Sequence, residues 1–168
     1  MRDRCIELLT PSIENSQNPV VVDATLGLGG HTEALLSRFP QLTVIGIDRD
    51  PQALEKARTR LSQFGNRLKT SHAIFDSITD VSQSHGYSAL SGVLFDLGVS
   101  SMQLDESDRG FSYSHDAPLD MRMDSTQVIT AYEIVNHYEP GALVKILRTF
   151  GEEKFATRIV ENIVKARA

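Results

Sequence analysis

Two polar segments, each following an apolar β-branched run, have the residue types of a nucleotide-binding site. The first is DATLGLGGHT (Asp23–Thr32), in which glycines let the backbone turn tightly and approach a ligand, and the next helix offers N–H donors. In the second, GIDRD, Asp48 ends its run and can accept hydrogen bonds from both hydroxyls of a ribose. A structural turn is the alternative interpretation of each segment. Together they predict a nucleotide site.

The type of nucleotide is indicated by a mismatch and by a third carboxylate. The dinucleotide pattern G-x-G-x-x-G would need glycine at 27, 29 and 32, but position 32 is Thr32 and the extra glycine is Gly30. Asp96 ends a further apolar run, in LFDLGVSS. An acid there suits an enzyme whose donor and acceptor meet at the carboxyl edge of a sheet, as in methyl transfer from S-adenosylmethionine. It suits a site for hydride transfer less well. A dehydrogenase-like enzyme remains the alternative.

The elements that must position these residues alternate along the chain. Ile6, Leu9 and Ile13 predict a first helix, with PSIENSQNP as a loop after it. Strands are predicted at VVVD, at LTVIGID, over 68–75 and at GVLFD, with helices between them. Asp50 is the predicted cap of the third helix, with Pro51 at its first position. This alternation predicts an α/β fold with a parallel sheet.

The alternation stops after the fourth strand. Residues 98–124 have no clear periodicity, and a loop of that length in a compact domain is usually functional or disordered. Three helices are predicted beyond it, one capped by Ser125, one starting at Pro140 and one from about Gly151. With no fifth strand predicted, the chain is expected to contain half a sheet followed by helices.

Bulk composition narrows the class of protein. The 168 residues can bury a core, no apolar run approaches a membrane span, and the single cysteine, Cys5, excludes an intrachain disulfide. A cytoplasmic protein is therefore expected. The net charge of −5 argues against a broad phosphate-binding surface, although residues 141–168 have six basic and three acidic side chains. Charge alone neither establishes nor excludes a nucleic-acid partner.

Five segments of the sequence resemble one known family: DATLGLGGHT, GIDRDPQAL, GVLFDLGVSSMQLD, RGFSY and DAPLDMRMD. They are similar to the RsmH/MraW family, S-adenosylmethionine-dependent methyltransferases that act on the N4 of a cytosine in 16S ribosomal RNA. The resemblance runs from about Val20 to the C-terminus. It implies a Rossmann-like methyltransferase fold, S-adenosylmethionine as cofactor, and 16S ribosomal RNA or the small ribosomal subunit as partner.

The resemblance also implies which residues contact the cofactor. Transferred position by position, these are Gly29, Gly30, His31, Asp48, Phe75, Asp96 and Gln103. Alternative roles are helix-terminal for His31, core packing for Phe75 and a surface position for Gln103.

Catalysis is expected to depend mainly on placing the acceptor amine in line with the S–CH3 bond. Asp96 is the first candidate to polarise the N–H of the amine, and Asp120 is the second. A loop-stabilising charge network of Asp120, Arg122 and Asp124 is the alternative role for Asp120. Cys5 lies far along the sequence from the motifs, so simple apolar packing is its expected role, not that of a nucleophile on a pyrimidine carbon.

A target base must leave its stack to reach such a site. The side chains that could form an apolar wall for it, or could instead pack the core of the loop, are Phe111, Tyr113, Met121 and Met123.

The resemblance implies a division into residues 1–124, the N-terminal part of a methyltransferase domain, and residues 125–168, the start of a helical substrate-side insert. Family members continue further, with additional strands, so the chain is expected to be a fragment or a truncated gene product. A fourth strand with an unpaired edge then predicts either a homodimer or marginal stability. A non-catalytic module that binds S-adenosylmethionine or assists assembly is a further alternative.

Overall fold

A parallel sheet organises the first part of the chain. The computed structural model describes residues 2–114 and 116–167, and within them four parallel strands lie in the order β3-β2-β1-β4. The strands are β1 (Val20–Asp23), β2 (Thr43–Asp48), β3 (Leu68–His72) and β4 (Gly92–Leu94). This topology confirms the predicted α/β fold.

Helices alternate with these strands. They are α1 (Arg2–Glu14), α2 (Gly30–Arg38), α3 (Pro51–Arg60) and α4 (Ile78–Ser84), with 3-10 turns at Ser62–Arg67 and Phe75–Ser77. Further along are α5 (Ser101–Asp105), a 3-10 turn at Ser107–Arg109, α6 (Ala131–His137), α7 (Pro140–Gly151) and α8 (Ala156–Ala166). None of the described helices has both the length and the apolar character that a bilayer span requires.

The core of the sheet follows the two-residue period of a strand. Val21 and Val44 pack on one face with residues of α1 and α2, among them Ile13 and Leu35. Val22 and Ile45 point the other way, into a second cluster. Because both faces are covered, β1 is buried at every position and can be continuously apolar up to its terminal aspartate.

The chain forms two compact units, Met1–Met102 and Gln103–Ala168. In the second, α7 and α8 bury Leu143, Ala156 and Val160. At the end of this unit the Arg167 guanidinium donates to the carbonyl oxygens of Val135, at 3.0 Å, and Tyr138. The predicted division at residue 124 concerns function, and it stays a prediction.

The predicted first helix was too short. Helix α1 continues through Pro11 to Glu14, where a loop was expected. The side chain of Ile13 is only 2% exposed and extends the apolar stripe that Ile6 begins. This packing outweighs the backbone hydrogen bond that proline cannot donate.

Later boundaries also differ from the prediction. Strand β3 ends at His72, not at 75, because β2 ends at its partner Asp48. Ser125 is not a helix cap, since Asp124 accepts from the N–H and hydroxyl of Thr126 and forms a turn there.

The cap of α6 is Thr130, whose hydroxyl accepts from the N–H of Glu133 at 3.2 Å. The last helix begins at Ala156 because α7 runs on to Gly151 and Glu152 ends it in the left-handed region (φ 49°). The predicted Asp50 cap and the Pro140 start are confirmed.

Candidate functional site

Asp48 is held rigidly at the carboxyl end of β2. One oxygen of its carboxylate accepts from the N–H of Gly27 at 2.7 Å, and the other accepts from the N–H of Asp50 at 2.9 Å. Each carboxylate oxygen has a second lone pair, so a pair of neighbouring hydroxyls can still be accepted. The glycine-rich segment and the carboxylate are thus parts of one structure, although they are 21 residues apart in sequence.

The glycine-rich segment has the conformation that its composition predicts. Gly27 (φ 51°) and Gly29 (φ 77°) are in the left-handed region. A Cβ on Gly29 would lie 2.5 Å from the Leu61 side chain, so this glycine allows the segment to pack closely on its neighbour. A Cβ on Gly30 would meet nothing within 4 Å, which leaves open space at the start of α2 for a ligand to approach the backbone.

A buried hydrogen bond that the sequence did not predict fixes the same segment. Asp23, at the end of β1, is 1% exposed and accepts from the hydroxyl of Thr32 at 2.7 Å, and more weakly from the N–H of Thr25 at 3.4 Å. Burial raises the pKa of the Asp23 carboxyl above its ordinary value, against the opposing effect of the Thr32 hydrogen bond. Thr32, the residue that breaks the dinucleotide pattern, therefore anchors α2 to the sheet.

Asp96 and His31 lie together after β4 and at the start of α2. Nδ1 of His31 is 3.8 Å from Oδ2 of Asp96, and the Asp96 side chain is 59% exposed. The backbone N–H of Asp96 donates to the hydroxyl of Thr25 at 2.7 Å, so a second residue missed by the sequence analysis fixes its position. Nε2 of His31 is buried and has no hydrogen-bond partner among the described residues. An exposed carboxylate and an unsatisfied imidazole nitrogen are the features of a ligand site.

Phe75 lies in the 3-10 turn that follows β3, and its ring meets that of Phe95, which directly follows β4. The ring centroids are 6.0 Å apart and the planes are 81° from parallel. Each residue is 48% exposed, so Phe75 is not the ordinary core residue of the alternative interpretation. Phe95 was not predicted as a site residue, because an aromatic at the end of a strand is indistinguishable from a core position in the sequence.

Gln103 and Asp120 belong to the second unit. Gln103 is buried, at 6% exposed, and therefore does not have a surface role. Asp120 forms a two-point ion pair with Arg122, with Nη2–Oδ2 at 2.6 Å and Nε–Oδ1 at 2.8 Å. The hydrogen bond from Arg122 holds the pKa of the Asp120 carboxyl below its ordinary value. These contacts favour the loop-stabilising role over the catalytic one.

Two aromatic residues of the long loop border a shallow surface cavity in the second unit. They are Phe111 and Tyr113, of which Tyr113 is fully exposed, and Leu104 and Ala117 lie beside them. Met121 and Met123 are not among its lining residues, and Met121 has a left-handed backbone (φ 58°). Only part of the predicted apolar wall is therefore assembled around this cavity.

The residues of the first unit fit S-adenosylmethionine in three respects. The backbone is open at Gly30, the Asp48 carboxylate can accept from a ribose, and the Nε2 atom of His31 lacks a partner among the described residues. The structure thus brings six of the predicted residues to the carboxyl ends of the strands: Gly29, Gly30, His31, Asp48, Phe75 and Asp96. The roles of Gln103 and Asp120 toward that site stay predictions.

The chain is similar in sequence to proteins of one known family. The chain matches the model of the MraW methylase family over residues 1–168. It is 56% identical over 166 residues to a protein named ribosomal RNA small subunit methyltransferase H from Kocuria rhizophila, covering 99% of this chain and 50% of that protein. A protein of the same name from Renibacterium salmoninarum is 55% identical over 172 residues, covering 100% of this chain and 52% of that protein.

A solved structure, an rRNA methylase from Streptococcus thermophilus, has 26% identity and a TM-score of 0.45, over 56% of this chain and 53% of that one. The chain spans about half the length of the curated relatives it matches.

Proposed function

Since the chain belongs to the MraW methylase family, we propose that it provides the donor-binding part of an enzyme that methylates the N4 amine of a cytosine in 16S ribosomal RNA. The observation that supports this proposal best is the position of Asp96. Its exposed carboxylate follows β4, beside His31 of the glycine-rich segment, and its backbone is fixed by Thr25. An acceptor amine that reaches the carboxyl end of β4 would therefore meet the Asp96 carboxylate and the donor site together.

The proposed methyl donor is S-adenosylmethionine, which supplies an activated methyl group on a sulfonium when bound. Asp48 would accept from the ribose hydroxyls, Phe75 would contact the base, and the backbone at Gly29 and Gly30 would lie against the methionine part. His31 would donate or accept through Nε2, the nitrogen that has no partner among the described residues. Gln103 is proposed as a further contact of the donor.

Asp96 is the proposed proton acceptor. The amine of cytosine is a poor nucleophile because its lone pair is delocalised into the ring, so a carboxylate that accepts one N–H makes the nitrogen more electron-rich. Asp96 would take the N–H proton that the nitrogen must lose on methylation and would pass it to water. Asp120 is a weaker candidate for the same role because Arg122 already occupies both of its oxygens.

The proposed substrate is 16S ribosomal RNA, free or within the small ribosomal subunit, in the cytoplasm. Residues 125–168 are proposed to contact the RNA substrate, and the last part of them, residues 141–168, has six basic and three acidic side chains. Among the described strands β4 pairs only with β1, so its other edge is available for pairing. Association into a homodimer through that edge is a further proposal.

The test is methyl transfer from labelled S-adenosylmethionine to small-subunit ribosomal RNA, with the modified nucleoside identified by mass spectrometry. We expect N4-methylcytidine from the wild-type chain and a loss of about 100-fold or more in rate for Asp96→Asn, the range for removing a general base. Asp80→Asn is the control, since this exposed carboxylate lies in α4 and has no proposed role.

Modification of a different base would contradict the proposed substrate. An Asp96→Asn variant with wild-type turnover would contradict the assigned role. Donor binding without any methyl transfer would instead support the non-catalytic module.

A further inference from the structure

Phe75 and Phe95 come from opposite edges of the sheet. In the order β3-β2-β1-β4, the strands that precede them are three strand spacings apart, about 14 Å. Their ring centroids are nevertheless only 6.0 Å apart. The two segments must therefore reach toward each other past the carboxyl ends of β2 and β1, where Asp48 lies.

Both phenylalanines of this pair stay half-exposed although their rings are in contact. An edge-to-face contact stabilises two rings beyond the area they bury. Here, however, each residue remains 48% exposed. Burying these rings in the core would remove more apolar surface from water than this arrangement does. An exposed aromatic pair beside a polar site indicates a surface that a flat, apolar ligand group covers.

The perpendicular geometry gives the two rings different roles. With planes 81° apart, the two rings cannot both stack on the same flat base. Whichever ring offers its face to the base, the other meets that ring and restricts its rotation. Phe95 directly precedes Asp96, whose backbone N–H is fixed by the hydroxyl of Thr25 at 2.7 Å. The backbone of Phe95 is thus held on both sides, since the carbonyl oxygen of Leu94 also accepts from the N–H of Ala24 at 2.9 Å, and Phe95 is suited to support the ring of Phe75.

We propose that Phe95 is a positioning residue for the donor site: its ring holds Phe75 in the orientation in which Phe75 stacks on the purine base of the donor. This inference rests on the proposed function, because it takes an adenosine-containing donor as the ligand. It assigns a role to a residue that lies outside the predicted set. The benefit arises because a ring already fixed in place loses less rotational freedom when the base binds.

The experiment is calorimetric titration of the 168-residue chain with S-adenosylhomocysteine, and separately with adenosine. Phe95→Leu keeps an apolar side chain and removes the ring, and we expect it to weaken both ligands by the same factor, about three- to tenfold. Phe95→Tyr keeps the ring and should retain wild-type affinity. Leu8→Ala, at an exposed position of α1, is the control and should bind as the wild type does.

A double-mutant cycle distinguishes positioning from direct contact. If Phe95 acts through Phe75, the Phe75→Leu/Phe95→Leu double variant will bind no more weakly than Phe75→Leu alone. Additive losses would overturn the inference, and so would wild-type affinity in a cooperatively folded Phe95→Leu variant. A wild-type chain that binds neither ligand would contradict the proposed donor site, and this inference with it. Binding by the wild type with an unaffected Phe95→Leu variant would overturn the inference alone.

Discussion

Removing the hydroxyl of Thr32 tests whether the glycine-rich segment is anchored as the structure indicates. Thr32 is fully buried and donates at 2.7 Å to Asp23, which is itself 1% exposed. Thr32→Val has nearly the same shape but no donor, and among the described residues it leaves the carboxylate with only the long contact from the N–H of Thr25 at 3.4 Å. Thr32→Ser keeps the hydroxyl and removes a methyl group.

The expected losses differ enough to separate the two contributions. A hydrogen bond to a charged group contributes about 1.5–3 kcal/mol, so Thr32→Val should lose about 2 kcal/mol of unfolding free energy. Deletion of one buried methyl group in Thr32→Ser should cost about 1 kcal/mol. For a chain of this length, 1 kcal/mol corresponds to a shift in Tm of about 2–4 °C. Thr32→Val should therefore lower Tm by about 4–8 °C, roughly twice the effect of Thr32→Ser.

The assay is thermal unfolding followed by circular dichroism, with urea titration as a second measure. Thr59→Val is the matched control, because within the described part of the chain that exposed hydroxyl bonds only to the Glu55 carbonyl oxygen of its own helix. It should change stability by less than about 0.5 kcal/mol. A Thr32→Ser variant less stable than Thr32→Val would refute the reasoning, since packing and not the hydroxyl would then determine stability.

The Asp23–Thr32 pair also makes the stability of the chain depend on pH, and the raised pKa of Asp23 fixes the sign of that dependence. The folded chain holds this proton more tightly than the unfolded chain, in which the carboxyl has its ordinary value of 3.8. The contribution of Asp23 to stability is therefore greatest at low pH and falls as pH rises from about 3.8 through the folded pKa. Subtracting the stability profile of Asp23→Asn from that of the wild type should reveal this fall; a flat or rising difference would contradict it.

Three further substitutions test other parts of the structure. Arg122→Met should destabilise the second unit. The difference in stability from wild type should shrink as pH falls below 3.8, because the lowered pKa of Asp120 adds stability only while that carboxyl is ionised. A difference in stability that grows in acid would contradict this. Gly110→Ala should lower the free energy of unfolding in chemical denaturation far more than Gly86→Ala. Both glycines have positive φ, where a side chain costs about 1–2 kcal/mol. Of the two, however, only Gly110 would place its Cβ 2.3 Å from a backbone oxygen, that of Pro118. Asp50→Ala should lose about 1 kcal/mol in urea unfolding through its N-cap bond, and an unchanged midpoint would argue against that bond.

The order of the elements in the first unit was predictable because their signals are local. Alternating apolar runs mark the strands, and the Asp50–Pro51 pair marks the start of α3. The spacing of Ile6, Leu9 and Ile13 indicated that α1 continues through Pro11, but the proline suggested a loop, and the sequence does not show that Ile13 is buried against the sheet. Long-range packing decides such boundaries, and a single sequence does not display it.

The candidate site was predicted where a motif contains the residue and missed where a side chain acts across the fold. Asp48 and the glycines follow from chemistry that their own segments display. Thr25 lies 71 positions from Asp96 and was missed, because only the pairing of β1 with β4 brings the two together. Phe95 was missed for the same reason, since its partner follows the strand at the opposite edge of the sheet.

The central claim is that the carboxyl ends of the strands form a methyl-donor site. It is tested most directly by calorimetric titration of the 168-residue chain with S-adenosylmethionine and, separately, with NAD. We expect saturable one-to-one binding of S-adenosylmethionine and none of NAD. Asp48→Asn should weaken the binding about 10- to 100-fold, the effect of losing charged hydrogen bonds to the ribose. Binding of NAD alone, or equal affinity in Asp48→Asn, would contradict the claim.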